Sequence, residues 1–233
     1  RIAQYELAFR MQTAVPELTE IANRSGILRF QLIGYVNQAE GWKTNGRLTD
    51  ALRLTEEGIA YTSDLGVSRW EAMLRGNAAD VTFSLGRWDE AELHLAALEP
   101  NREMDVPEIN CSMSALKLAA ERGDDQTTEW EIERLAPFVE IGLEPQMQGP
   151  YLECRVSDLR WHGDVADAYA MGKEILNSFT TDDDWTLAPR LAAFVIEAVA
   201  DAVVDGAADS SWIEDARIWH ARLMKANGPM LFG

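Results

Sequence analysis

Apolar positions recur every three or four residues along most of the chain. From Ser68 to Leu85 they fall at Trp70, Met73, Leu74, Ala78, Val81 and Leu85, with Asn77 on the same side. That spacing lines one side of a helix. Trp88 to Leu98 repeats the pattern with Ala91, Leu95 and Leu98. Sustained alternation of apolar and polar residues, the mark of a half-buried strand, is absent, and no Asn-Gly turn joins two β-branched runs. The pattern predicts an all-α chain.

Glycines punctuate the helical pattern at a regular interval. Five segments align: Asn45-Gly46-Arg47-Leu48-Thr49-Asp50-Ala51, Leu85-Gly86-Arg87-Trp88-Asp89-Glu90-Ala91, Arg122-Gly123-Asp124-Asp125-Gln126-Thr127-Thr128, His162-Gly163-Asp164-Val165-Ala166-Asp167-Ala168 and Asp205-Gly206-Ala207-Ala208-Asp209-Ser210-Ser211. The glycines step by 40, 37, 40 and 43 residues. Five residues after each stands a small residue: Ala51, Ala91, Thr128, Ala168 or Ser211. Such a unit is a helical hairpin. The glycine ends helix A in a left-handed cap. Thr49, Asp89, Asp124 and Asp164 stand where a side chain can cap or charge-stabilise the start of helix B. The small residue lets B approach A.

The A/B pairs are predicted at about 27–44 and 48–65, 68–85 and 88–98, 107–122 and 125–140, 147–162 and 165–179, and 187–205 and 211–226. Pro100, Pro107, Pro145 and Pro150 are placed between hairpins or at helix starts. A leading helix is predicted over about 1–13, with Pro16 starting a second piece. Residues 1–25 are therefore read as an N-terminal helical segment set apart from the repeats. Residues 26–227 are read as a right-handed α-solenoid of about five helix-turn-helix repeats, each burying its open face on the next. Asn227-Gly228-Pro229 marks a break before a tail over 228–233.

Charge narrows the function classes. Lys and Arg number 21 against 39 Asp and Glu, a formal charge of −18. Nucleic-acid backbones and anionic membrane surfaces both demand a basic face, so neither is an expected partner. No apolar run is long enough to span a bilayer: Pro189, Arg190, Glu197 and Asp201 break the richest stretch. Two cysteines, Cys111 and Cys154, give no disulfide framework and fit a reducing, cytoplasmic setting. The chain begins without Met and reads as a piece of a larger protein.

The segment from Gly66 to Pro100 resembles a tetratricopeptide repeat. Gly76-Asn77-Ala78-Ala79-Asp80 and Leu85-Gly86-Arg87-Trp88-Asp89-Glu90-Ala91-Glu92 match the family's small residue in helix A, its turn glycine and its aromatic-acid-acid-Ala opening of helix B. Pro100 matches the closing proline. Ala39, Gly46 and Ala51 match one repeat earlier. The interval here exceeds the roughly 34 residues of that family. This longer style, with Leu52-Arg53-Leu54-Thr55-Glu56-Glu57-Gly58-Ile59-Ala60, resembles the repeat region of large bacterial transcriptional regulators of the LuxR/MalT type. That resemblance implies a nucleotide-binding ATPase module before the repeats and a helix-turn-helix after them in the parent protein. Arg1-Ile2-Ala3-Gln4-Tyr5-Glu6-Leu7-Ala8-Phe9-Arg10-Met11-Gln12, running on to Val15-Pro16-Glu17-Leu18, resembles instead a helix of planctomycete sulfatase-like proteins.

Catalytic and metal-binding patterns are not found. His94, His162 and His220 lack metal-ligand spacing, and His94 and His162 are expected at the surface. Thr181-Asp182-Asp183-Asp184 lacks the glycine and final glutamate of a calcium loop and reads as a solvated loop. Cys111 and Cys154 read as buried thiols. Trp42 and Trp88 fall at repeat aromatic positions and are expected in the core, whereas Trp161 is placed toward the groove. No catalytic residue, cofactor or metal is assigned.

The remaining functional surface is the groove lined by the A helices. Carrying the repeat register across gives Val36, Glu40 and Lys43 in the first repeat and Met73, Asp80 and Phe83 in the second. The third contributes Met113, Lys117 and Ala120, and the fourth Glu153, Ser157 and Arg160. The mixture of apolar and charged groups suits a peptide or helix. The expected function is a non-catalytic protein-interaction or effector-sensing module, binding a protein, a peptide or a small-molecule effector. The rival readings are a generic scaffold and the fused tail of a sulfatase-like hydrolase.

Overall fold

Gly46, Gly86, Gly123, Gly163 and Gly206 all adopt positive φ, between 68° and 85°. This is the left-handed region that a side chain disfavours, and in each the chain leaves one helix for the next. The computed structural model describes residues 24, 26–98, 104–141, 145–181, 185 and 189–227. The described residues are all-helical, with ten helices and no strand. These are α1 (Leu28–Thr44), α2 (Leu48–Leu65), α3 (Ser68–Ser84), α4 (Trp88–Ala96), α5 (Val106–Arg122), α6 (Asp125–Ile141), α7 (Pro145–Trp161), α8 (Val165–Ser178), α9 (Pro189–Val204) and α10 (Ser210–Asn227). The expected leading helix over 1–13, the expected tail and Asp182 to Asp184 lie outside the described residues.

The chain forms two compact units, residues 1–118 and 119–233, which divide within α5. In the first unit α2 packs against both α1 and α3, α3 packs against α4, and α1 touches α3 directly. Ala51, Leu52, Ala78 and Val81 form one buried cluster, flanked by Trp42, Leu48, Ile59 and Leu85. Ala79, Ala91 and Leu118 form another, flanked by Phe83, Trp88 and Leu95. Trp42 and Trp88 are thus half-buried edges of the core. Small residues set the approach of α3 and α5. A Cβ on Gly76 would lie 2.5 Å from Asn110 Nδ2 and 3.1 Å from Cys111 Sγ. Buried threonines return their hydroxyls to their own helix: Thr55 donates to the Ala51 carbonyl at 2.6 Å and Thr82 to that of Ala78 at 2.7 Å. A polar group is thereby buried without an orphaned donor.

In the second unit α8 packs against α7 and α9, α9 packs against α7 and α10, and α6 packs against α7. Val156, Ala168, Leu176, Leu191, Val195, Ala198 and Trp219 belong to its core. Gly172 of α8 admits α9: a Cβ there would lie 2.2 Å from Val195 Cγ2.

Three local expectations change. α2, α4, α6 and α8 each begin two residues after the turn glycine, which buries Ala51, Ala91, Thr128 and Ala168. α10 begins four residues after Gly206, and Ser211 is exposed. The delay has a local cause. Asp209 Oδ1 accepts the Ser211 amide at 2.7 Å and the Trp212 amide at 3.3 Å, so the helix starts at the aspartate that caps it. Asp124 caps α6 through the Thr127 amide at 3.2 Å, whereas Asp164 makes no side-chain cap on α8. Pro150 lies inside α7 rather than at a helix start.

Candidate functional site

Three of the groove residues meet in one place. Lys43 on α1, Asp80 on α3 and Lys117 on α5 lie on successive A helices, each 37 residues from the next. Counted back from the turn glycines, Asp80 and Lys117 share the position of Glu40, and Lys43 that of Phe83. Asp80 Oδ2 accepts from Lys43 Nζ at 2.6 Å and Oδ1 from Lys117 Nζ at 2.7 Å. Glu40 adds a second carboxylate 2.7 Å from Lys43 Nζ. The Asp80 side chain is 13% exposed, against 25% for Lys43 and 22% for Lys117. Burial alone would raise the Asp80 pKa. The Lys117 and Lys43 ammonium groups and their hydrogen bonds override it and hold the carboxyl well below the usual carboxylate range. For Lys43 burial acts to lower the pKa, and Asp80 and Glu40 override it to raise it above the ordinary lysine value. Two lysines thus face two carboxylates, Asp80 and Glu40, in one cluster.

The other groove residues of the first unit are mostly apolar. Val36 and Met73 are half-buried. Phe83 is half-buried and stacks on Trp88, ring centroids 6.1 Å apart. Met113 is 6% exposed and contributes to the core of α5 rather than to open surface. An amide cluster adjoins them: Asn110 Nδ2 donates to Asn77 Oδ1 at 2.9 Å and to the Met73 carbonyl at 3.3 Å.

In the second unit Ala120 and Ser157 are half-buried. Arg160 bridges Glu197 and Asp201 of α9. Glu153 lies 3.6 Å from Arg190, which also reaches Glu121 at 3.4 Å. Arg160 therefore spends its charge on α9. Trp161 next to it is 81% exposed.

Two further features carry little signal in the sequence. Tyr169 of α8 donates to Asp215 of α10 at 2.6 Å and accepts from Lys173 at 3.0 Å, and Lys173 lies 2.8 Å from Asp215. The four-residue step from Tyr169 to Lys173 is visible in the sequence, but the carboxylate 46 residues away is not. This cluster is no poised base. Burial and Asp215 raise the phenol pKa, and its ring stacks on Trp212 at 4.1 Å. It ties α8 to α10. The second feature is a cleft of about 660 Å³ between the first turns of α1, α3 and α5. Apolar residues at helix starts, such as Leu28 and Val106, were its only sequence signal.

Among the described residues no group of three or more His, Cys, Asp or Glu side chains is placed to hold a metal. Cys111 and Cys154 are buried and form no disulfide. His162 is exposed. Its Nδ1 lies 2.9 Å from the Asp158 carbonyl oxygen, and this contact and the nearby Asp158 and Asp125 carboxylates raise its pKa. His94 is half-buried, and burial followed by Arg75 lowers its pKa. Among the described residues no helix is long and apolar enough to cross a membrane. The chain matches no protein-family model and no curated protein.

Proposed function

We propose that the chain is a non-catalytic helical-repeat module that presents its A-helix face to a protein or peptide. In this reading the hairpins stack in right-handed α-solenoid order within each unit, as the tetratricopeptide resemblance implies. The observation that carries it is the ladder of Lys43, Asp80 and Lys117. Charged residues of three successive A helices reach the same point, so these helices contribute to one continuous face. The ladder fixes the spacing of the helices, while Val36, Met73, Phe83 and Glu40 border it with mixed apolar and acidic surface. Such a surface suits a peptide with apolar anchors and basic flanks. In the parent protein the module would sense an effector for attached ATPase and helix-turn-helix parts, a role that rests on the resemblance to LuxR/MalT-type regulators.

Selection of peptides from a displayed random library against the chain tests this reading. Peptides recovered should carry basic residues beside apolar ones. Their binding should fall with Glu40→Lys on α1 and be unchanged by Glu57→Lys, which is exposed on α2. Peptides that respond to Glu57→Lys and not to Glu40→Lys would move the binding surface to the B helices and overturn the proposal.

A further inference from the structure

We propose that the cleft between the first turns of α1, α3 and α5 is a binding site for an amphipathic monocarboxylic acid, an apolar chain ending in one carboxylate. At about 660 Å³ the cleft has the size of pockets that hold small organic ligands. Leu32, Trp70, Met73 and Val106 form part of its wall. Val106 is 53% exposed although it is a large apolar side chain at a helix start, where a polar residue would cost nothing.

The charge pattern selects the head group. The chain carries −18 overall, yet the only charged residues among those described lining the cleft are two arginines, Arg29 and Arg69. Arg29 is exposed and has no carboxylate partner among the described residues. Arg69 is 68% exposed and among the described residues pairs with Asp105 at 3.3 Å. Asp105 is itself engaged, capping α5 through the Glu108 amide at 3.1 Å. Among the described residues two guanidinium groups at the rim thus share one carboxylate, Asp105. That balance matches one carboxylate, which a guanidinium can hold by paired hydrogen bonds. The first turns of α1 and α3 follow the apolar N-caps Ile27 and Val67, which offer no side-chain acceptor, and the one acid in those two turns, Glu71, is paired with Arg75 at 2.8 Å. An apolar tail would replace water against Leu32, Trp70 and Met73, while the head stays at the rim. This site does not depend on the peptide-binding reading; Met73 alone belongs to both surfaces.

Titration calorimetry of the full chain with dodecanoate tests the proposal. Dodecanol supplies the same tail without charge, and acetate supplies the charge without the tail. One-to-one saturable binding of dodecanoate is expected, with dodecanol and acetate each weaker by about tenfold or more. Arg29→Gln combined with Arg69→Gln should weaken dodecanoate by about tenfold or more. Both side chains are exposed, so the helical circular dichroism of the variant should stay unchanged. Arg53→Gln, outside the cleft, should bind as the parent does. The proposal is overturned by absent saturable binding, by equal binding of dodecanol, or by full binding in the double variant. It is also overturned if the chain dimerises and dimerisation abolishes dodecanoate binding, which would assign the cleft to a second copy.

Discussion

The Asp80 carboxylate on α3 lies 2.7 Å from the Lys117 ammonium on α5, and its other oxygen lies 2.6 Å from Lys43 on α1. One acid thus joins three helices that the chain visits 37 residues apart. Asp80→Asn should strand the partly buried Lys117 ammonium, while Lys43 keeps Glu40. A loss of about 2–3 kcal/mol at neutral pH is expected, since removing one partner of a buried ionic group strands the other charge. Urea unfolding measures it.

The same site sets an acid dependence. The folded-state pKa of Asp80 is depressed, so its contribution is complete above the ordinary aspartate value of about 4 and declines as pH falls below it. The parent chain should therefore lose stability below about pH 4 more steeply than Asp80→Asn. Parallel slopes for the two proteins in acid melts would show that the two lysines do not depress Asp80.

Ala91 and Arg160 separate packing from surface charge. Ala91 is 1% exposed and sits against Ala79 and Leu118. Ala91→Trp should destabilise by about 1–3 kcal/mol through overpacking. Arg160 is 30% exposed and pairs with Glu197 and Asp201. Arg160→Ala should cost about 1 kcal/mol or less, the scale of partly exposed ion pairs. Thermal melts of the two variants compare them directly, and equal losses would contradict the register of the second hairpin.

Two glycine substitutions of the same type should act with opposite signs. A Cβ on Gly172 meets Val195, which is fully buried and has nowhere to move. Gly172→Ala should destabilise the second unit by about 1–3 kcal/mol. A Cβ on Gly41, inside α1, meets nothing within 4 Å. Gly41→Ala should stabilise by about 0.5–1 kcal/mol through helix propensity alone. Denaturant midpoints of both variants check the pair.

His162 and His94 should titrate on opposite sides of the ordinary histidine value. The Asp158 carbonyl and the neighbouring carboxylates favour the charged form of His162. Burial and Arg75 disfavour that of His94. Because the folded pKa of His162 is raised, its charged form adds stability at low pH that is lost as pH rises through that value. Histidine ring resonances followed by NMR across neutral pH should give His162 the higher midpoint.

The amino-acid order by itself determined the local structure. All ten described helices fall close to their predicted bounds, because a glycine that permits positive φ and a three-to-four apolar spacing act within a few residues. The exception is instructive. Ser211 keeps the spacing of the other units yet is exposed, because Asp209 offers a stronger cap and restarts the helix later. The groove register was legible to the extent that Lys43, Asp80 and Lys117 were placed on one face. That Asp80 would bind both lysines was not, nor that Arg160 would turn to α9 or that Met113 would be buried. Those outcomes depend on which side chains meet across 37 to 41 residues of chain. Helix periodicity fixes the direction of a side chain about its own axis, but not the axial offset and rotation of the helix it faces. Those are set by the close approach at Gly76 and Gly172 and by the packing around them, so the ion pairs and the cleft at the helix starts exist only once the helices have docked.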